Sequence, residues 1–120
     1  PSVRPDSVCE APVDLLDLAA TFCDVADADF PADRPGRSIT DLLEHPDRAV
    51  RRFTVSGYEW WDMITDGTWK YVVEHRRGER PGSERLIRIA DDPDESNDLS
   101  GDYPDIAREL ENELSKRLRK

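Results

Sequence analysis

The sequence predicts an α+β fold, in which a four-stranded antiparallel sheet carries a C-terminal amphipathic helix on one face and an N-terminal apolar helix precedes the sheet. Three observations lead to this prediction. Apolar residues recur at helical spacing near both ends of the chain, apolar and polar residues alternate in its middle, and Asp66-Gly67 separates two alternating runs. The strands are joined by short connections, which favours antiparallel pairing, because parallel strands need long crossovers.

The first predicted helix covers residues 13–25, and ten of the fourteen residues in "VDLLDLAATFCDVA" are apolar. Its apolar positions form two adjacent stripes, which is typical of a helix that is covered on more than one side. A chain of 120 residues with 37% hydrophobic content has little material for covering both stripes. We therefore expect this helix to belong to a larger body. We expect the isolated chain to expose an apolar surface and to form a homodimer or rearrange this helix against a neighbour.

A Pro/Gly/Asp-rich loop over residues 27–37 leads to a short second helix in "SITDLLEH". Ser38 has the residue type and position of an N-cap, with Asp41 at the capping-box distance. Pro46 ends the helix, since proline disfavours helical backbone in the residue before it.

Four strands are predicted at residues 50–57, 60–65, 68–74 and 85–89. Asp-Gly between two alternating runs is a strong hairpin signal, and a two-residue turn there would pair Thr65 with Thr68 and Ile64 with Trp69. The alternation places Ile64 and Trp69 on one face of the sheet, together with Tyr71.

The last predicted helix covers residues 103–118 and carries a single apolar stripe, as a helix that lies on one face of a sheet requires. Basic residues near its C-terminus suit the negative end of the helix dipole; they are Lys116, Arg117, Arg119 and Lys120. The predicted core combines this stripe with one face of the sheet: Phe53, Val55, Ile64, Trp69, Tyr71, Val73, Leu86, Ile106, Leu110 and Leu114.

The acidic stretch in "LIRIADDPDESNDLS" joins the last strand to the last helix. A calcium loop that starts at Asp92 would need glycine at its sixth position and glutamate at its twelfth. Asn97 and Tyr103 stand there instead, which argues against calcium binding. A disordered linker is disfavoured by the ordered elements on both sides, so the stretch is predicted to be a shaped strand-to-helix connection.

Charge limits the classes of partner. The chain has 17 basic and 27 acidic residues, which give a net charge of -10. An acidic field of this size repels phosphate backbones and anionic lipids, so we expect no nucleic-acid partner and no membrane partner. No apolar run reaches the length of a transmembrane helix.

The sequence patterns predict no catalytic, cofactor-binding or metal-binding residue in this chain. His45 and His75 are the two histidines, and neither has partners at metal-ligand spacing. Trp60 and Trp61 are candidates for lining a pocket, although one of two adjacent strand residues usually faces the core. The basic segment "HRRGER" is open to two interpretations, an anion-binding loop or a solvated loop.

Four segments, in this order, resemble the C-terminal part of the sulfatase family, within the alkaline-phosphatase superfamily. The segment "VDLLDLAATFCDVAD" is similar to the family helix V-D-L-x-P-T-L-L-D-L-A-G, with Ala20 where proline is common, and "RPGRSITDLLEH" is similar to a P-G-x-S-L segment. The segment "DMITDGTWKYVV" resembles the hairpin A-V-R-T-G-D-Y-K-Y-I. The acidic stretch resembles L-Y-D-L-x-x-D-P-x-E-x-x-N-L, with Ile87-Arg88 in place of Tyr-Asp. The resemblance covers about residues 8–118.

The resemblance implies that residues 1–48 are the end of the large sulfatase domain and residues 49–120 the C-terminal subdomain. It also implies a parent enzyme that hydrolyses a sulfate ester with calcium and formylglycine, the latter made from a C/S-x-P-x-R motif. Cys9 does not fit this motif, because "CEAPV" has its proline one place late and no arginine. The expected partner is therefore an N-terminal catalytic domain, and this chain alone is expected to be inactive.

The resemblance also makes Trp60, Trp61, His75 and Arg76 candidates for the rim of the substrate pocket. Two alternatives stay open from the residues alone. One is a free-standing acidic binding module, and the other is the C-terminal part of a related phosphonate or phosphodiester hydrolase.

Overall fold

The computed structural model describes residue 3 and residues 5–118, which divide after Arg52 into two compact units. The first unit holds helices α1 (Leu15–Val25) and α2 (Thr40–Glu44). The second holds strands β1 (Thr54–Tyr58), β2 (Trp61–Thr65), β3 (Trp69–Glu74) and β4 (Ser83–Arg88), followed by helix α3 (Pro104–Leu118). The predicted α+β fold is confirmed. Arg119 and Lys120 lie outside the described residues.

Helix α1 begins two residues later than predicted, because Asp14 caps it. The Asp14 side chain accepts a hydrogen bond from the backbone N–H of Leu16, and the Asp17 carboxylate accepts one from the backbone N–H of Asp14 at 2.7 Å. Asp17 is fully buried and also binds the backbone N–H of Arg37 and the guanidinium of Arg51. One buried carboxylate therefore fastens the segment that follows α1 to the helix.

The prediction that Ser38 caps the second helix is wrong. Helix α2 begins at Thr40, and Ile39 at the N-cap position makes no side-chain hydrogen bond. The Ser38 and Thr40 hydroxyls both donate to the Asp24 carboxylate near the end of α1. These two hydrogen bonds hold the pKa of Asp24 below its usual value.

The sheet is an antiparallel meander with strand order β1-β2-β3-β4. The predicted two-residue turn between β2 and β3 is wrong, because Thr65 pairs with Lys70 and Ile64 with Tyr71. The Asp66 carboxylate accepts hydrogen bonds from the N–H groups of Thr68 and Trp69, which closes a longer loop. The register moves by two residues, which leaves every side chain on its predicted face.

The core of the second unit lies between the sheet and α3, which packs on β2 and β3. Six of the predicted core residues form its buried cluster, and the other four pack against it together with Ala107. The predicted core is confirmed. The buried six are Phe53, Ile64, Tyr71, Leu86, Leu110 and Leu114, and the partly buried four are Val55, Trp69, Val73 and Ile106.

The acidic connection is held by its own side chains. Asp92 is almost completely buried, and its carboxylate accepts hydrogen bonds from the backbone N–H of Asn97 at 2.8 Å and from the Ser96 hydroxyl at 3.2 Å. The Asp98 carboxylate accepts from the backbone N–H of Leu86, and the N–H of Leu99 donates to the Leu86 carbonyl. The connection therefore satisfies backbone groups along the outer edge of β4.

The connection also contacts the face of the sheet opposite α3. Lys70 and Arg85 lie on that face, because their neighbours Tyr71 and Leu86 point into the core. The Lys70 ammonium lies 2.7 Å from the Glu95 carboxylate, and Arg85 donates to the Glu95 carbonyl at 3.3 Å. Within the described residues, no helix is long and apolar enough to span a bilayer.

Candidate functional site

Aromatic and basic side chains gather at the end of the sheet that holds the β1–β2 turn and the β3–β4 loop. In a meander these two connections lie at the same end, because β1 and β3 run in the same direction. We call this group the Trp60 cluster; it comprises Tyr58, Trp60, Asp62, His75, Arg77 and Arg80.

The β1–β2 turn presents Trp60. Tyr58 pairs with Trp61, so Glu59 and Trp60 form a two-residue turn, with Glu59 in the left-handed region at φ 41°. The Trp60 carbonyl accepts a hydrogen bond of 2.6 Å from the backbone N–H of His75, just beyond β3. The turn is therefore fixed to the neighbouring loop through the main chain.

The β3–β4 loop is itself a small hairpin. Arg77 and Arg80 form an antiparallel bridge in which each N–H donates to the other carbonyl, at 3.1 and 3.0 Å. Gly78, at φ 59°, allows the tight turn between them. Because residues directly opposite in an antiparallel bridge share a face, both arginine side chains leave the hairpin on the same side.

Trp60 is the point at which the turn and the loop meet. The Arg77 guanidinium carbon lies 4.3 Å from the centre of the Trp60 ring, within the range of a cation–π interaction. The Tyr58 ring packs edge-on against Trp60, with 5.7 Å between ring centres. A small recess of about 40 Å³ lies beside them, lined by Trp60, Glu74, His75, Arg77, Arg80 and Pro81.

Asp62 and His75 form the second contact of this cluster, with 2.6 Å between the carboxylate Oδ2 and the imidazole Nε2. Gly57 pairs with Asp62 on the neighbouring strand, and a Cβ at Gly57 would collide with the Asp62 carboxylate. The glycine therefore provides the space in which Asp62 reaches His75.

The four candidate rim residues do not all meet. Trp60 and His75 line the recess, whereas Trp61 lies in β2, paired with Glu74. Arg76 donates through Nε to the Gly78 carbonyl at 3.1 Å and does not line the recess. Their role at a substrate rim stays a prediction.

Arg77 and Arg80 line the recess, although the sequence did not single them out. The run "HRRGER" was the available signal, but it could not indicate which arginines share a face. That choice depends on the bridge between Arg77 and Arg80.

Within the described residues, no group of three His, Cys, Asp or Glu side chains could hold a metal ion. The acidic side chains of the strand-to-helix connection bind backbone N–H groups and a hydroxyl instead. In the part of the chain that the structure describes, the acidic side chains therefore do not fit a calcium site.

Comparison with known proteins finds relatives for the chain, although no family model matches it. It is 26% identical over 132 residues to arylsulfatase K of Xenopus laevis, an alignment that covers 95% of this chain and 24% of the relative. The chain thus spans about a quarter of the length of the curated relative that it matches.

Two solved structures share the fold. One is a protein in complex with its substrate D-glucosamine-2-N,6-O-disulfate. Its TM-score is 0.71 and its identity is 21%, over 86% of this chain and 23% of that one. The other is the structure of a protein involved in the metabolism of multiple glycosaminoglycans by Bacteroides thetaiotaomicron. Its TM-score is 0.67 and its identity is 20%, over 87% of this chain and 24% of that one. In each case the common fold is one part of a longer chain.

Proposed function

We propose that this chain, which resembles a sulfatase C-terminal subdomain in its motifs and is similar to arylsulfatase K, completes a sulfuric ester hydrolase whose catalytic residues lie in an upstream domain. One observation carries the proposal. Nearly the whole chain aligns with about a quarter of arylsulfatase K.

Sulfatases hydrolyse sulfate esters with calcium and a formylglycine nucleophile. In this chain Cys9 lacks the required sequence context, and the described residues offer no metal-binding group. We therefore assign both cofactors to the upstream domain and no catalytic step to this chain.

The first proposed role is to support the catalytic domain through α1. This helix exposes an apolar stripe at helical spacing, made of Leu15 at 84%, Leu18 at 43%, Phe22 at 68% and Val25 at 59%. Burying a large apolar side chain is worth about 1.5–3 kcal/mol, so a domain that covers this stripe would gain several kcal/mol. The occupant that we propose is the upstream catalytic domain.

The second proposed role is to rim the substrate pocket with Trp60, Trp61, His75 and Arg76. Aromatic and basic residues suit an anionic sugar, because rings pack on aromatic side chains and sulfates accept hydrogen bonds from basic groups. The substrate of one protein with this fold, D-glucosamine-2-N,6-O-disulfate, has this chemistry. A sulfate ester is therefore the proposed substrate class.

The gene upstream of this chain tests the proposal. We expect a C/S-x-P-x-R motif there, and we expect the full-length protein to hydrolyse an aryl sulfate in the presence of calcium. Replacing the Cys or Ser of that motif with alanine should abolish the activity, since alanine cannot become formylglycine. This chain alone should be inactive in the same assay.

Two outcomes would overturn the proposal in favour of the alternatives. A stop codon or an unrelated domain upstream would favour a free-standing binding module. A full-length protein that cleaves a phosphonate or phosphodiester but no sulfate ester would place the chain in a related hydrolase class.

A further inference from the structure

We infer that the Trp60 cluster is a binding site for a small oxyanion, which is held between the guanidinium groups of Arg77 and Arg80. The inference starts from a costly feature of the β3–β4 loop. Two arginines stand directly opposite each other across a hydrogen-bonded bridge, where α-carbons lie about 5.5 Å apart. Like charges at such positions destabilise a sheet, whereas an anion between them changes the repulsion into two attractions.

The Arg77 guanidinium is held in place before any anion arrives. It lies on the Trp60 ring, and the Trp60 carbonyl is hydrogen-bonded to the His75 backbone. A cation–π contact uses the flat face of the guanidinium, so the N–H groups at its edge keep their capacity to donate. Since the side chain is already ordered, less entropy is lost on binding. Trp60 thus acts as a positioning residue.

The size and charge of the recess define the ligand. The recess, of about 40 Å³, is small and open to solvent, so it suits the charged group of a ligand, such as a sulfate or a carboxylate, better than it suits a whole sugar. Arginine forks bind both groups through paired hydrogen bonds. His75 also lines the recess, but its Nε2 lies 2.6 Å from the Asp62 carboxylate, so we assign the anion to the two arginines.

Glu74 is the acidic residue in the lining and opposes anion binding. Its carboxylate accepts a hydrogen bond from the Ser83 hydroxyl at 2.9 Å and lies 3.7 Å from the Arg80 guanidinium. This is an ion pair without a hydrogen bond, so an anion competes with Glu74 for the charge of Arg80, while the Arg80 N–H groups stay able to donate. We therefore expect weak, millimolar affinity in the isolated chain.

The anion has two candidate sources, a substituent on a sugar or a free inorganic ion. The first source rests on the proposed function, whereas binding itself does not. Three compounds distinguish the two sources. Glucose 6-sulfate provides the sugar with the anion, inorganic sulfate provides the anion alone, and glucose provides the sugar alone.

The test is an NMR titration of the ¹⁵N-labelled chain at constant ionic strength, with sodium chloride as the salt control. We expect the Trp60 indole N–H and the Nε–H groups of Arg77 and Arg80 to shift with inorganic sulfate and with glucose 6-sulfate, but not with glucose. Tighter binding of glucose 6-sulfate would identify the sugar substituent as the source, and equal affinity would identify the free ion.

Matched variants decide whether the arginines bind the anion. The double variant Arg77→Gln, Arg80→Gln should lose at least about tenfold in affinity, because it removes two charge-assisted contacts. Arg77→Lys, Arg80→Lys keeps both charges without the planar fork and should bind with intermediate affinity. Trp60→Leu should weaken sulfate binding and broaden the Arg77 Nε–H signal, since Arg77 would lose its fixed position.

Arg108→Gln is the control, because Arg108 is an exposed arginine on α3 paired with Asp105. Its replacement should leave sulfate affinity unchanged. Absence of shifts at Trp60, Arg77 and Arg80, or equal losses in the Arg108 control and the double glutamine variant, would overturn the inference. Neither result bears on sulfate-ester hydrolysis by the full-length protein, so a failure here is separate from a failure of the proposed function.

Discussion

Asp17 is a charged residue at a fully buried position, on a helix whose opposite side exposes apolar residues. An isolated buried carboxylate is costly, and it is tolerated here because its oxygens accept from the backbone N–H groups of Asp14 and Arg37 and from the Arg51 guanidinium. The sequence placed Asp17 in the first turn of a helix but could not reveal Arg51 as its partner.

Replacing Asp17 tests this arrangement. Asp17→Ala should destabilise the first unit by about 3–5 kcal/mol, because two N–H groups lose their acceptor and the mostly buried Arg51 guanidinium keeps only the Asp14 carboxylate, 3.9 Å away. Urea unfolding followed by circular dichroism measures the loss. Asp33→Ala is the matched control, since the exposed Asp33 lies 4.0 Å from Arg34 and its loss should change stability by less than about 0.5 kcal/mol. Equal effects of the two substitutions would contradict this account.

Asp92 makes the strand-to-helix connection sensitive to acid. Hydrogen bonds from Asn97 and Ser96 hold the pKa of Asp92 below its usual value. A carboxyl group whose pKa is lower in the folded state than in the unfolded chain stabilises the fold. This stabilisation is fully present above the unfolded pKa of about 3.9, and it is lost as the pH falls through the folded pKa. The connection should therefore loosen below about pH 4.

The variant Asp92→Asn should be less stable than the natural chain at neutral pH and should show a weaker decline in stability on acidification. Tryptophan fluorescence can follow this unfolding, since Trp60, Trp61 and Trp69 all belong to the sheet unit. Asp94→Asn, an exposed neighbour, controls for the loss of one charge. The assignment fails if both variants keep the acid dependence of the natural chain.

At the scale of elements, the sequence determined which face of each strand is buried, because alternation with a period of two does not depend on the exact turn. It could not determine the β2–β3 register, since that depends on how the Asp66 carboxylate binds the N–H groups of its own loop. The start of α2 was missed for a tertiary reason, because the Ser38 hydroxyl donates to Asp24, fourteen residues away, and its oxygen accepts from the N–H of Thr40, the first residue of α2, so that Ser38 lies one residue before the N-cap.

The candidate site was predictable to a smaller extent. Trp60 and the basic run "HRRGER" were visible in the sequence, but their contact arises because the meander brings two connections to one end of the sheet. The bridge that puts Arg77 and Arg80 on one side of the loop could not be read from composition.

The packing of α3 on the sheet gives a direct test at this scale. Leu110→Ala should destabilise the second unit by about 2–5 kcal/mol, because Leu110 is buried in the core cluster and its truncation leaves a cavity. Leu118→Ala, on the same helix at 53% exposure, should have a much smaller effect. Thermal unfolding of both variants measures the difference, and similar losses of stability would show that α3 does not pack as described.

At the scale of the whole molecule, the exposed stripe of α1 and the net charge of -10 act in opposite directions. Apolar patches promote association, while like charge opposes it until salt screens the repulsion over about 10 Å at 0.1 M. We expect the isolated chain to be monomeric at low salt and to form dimers at high salt in sedimentation experiments.

A variant separates the apolar contribution from the electrostatic one. Phe22→Asp, in the exposed stripe, should reduce dimer formation at high salt, whereas Leu118→Ser, on the other unit, should not. A species that stays monomeric at both salt concentrations would show that the stripe does not drive self-association.

The central claim is that this chain completes a sulfatase whose catalytic residues lie upstream, and a split enzyme tests it most directly. The upstream domain and this chain would be produced as separate polypeptides and assayed for aryl-sulfate hydrolysis with calcium. We expect each alone to be inactive and the mixture to regain activity, with a lower yield for Phe22→Asp because the exposed stripe is the proposed contact. Full hydrolysis by the upstream domain without this chain, or no hydrolysis by the intact protein, would contradict the account.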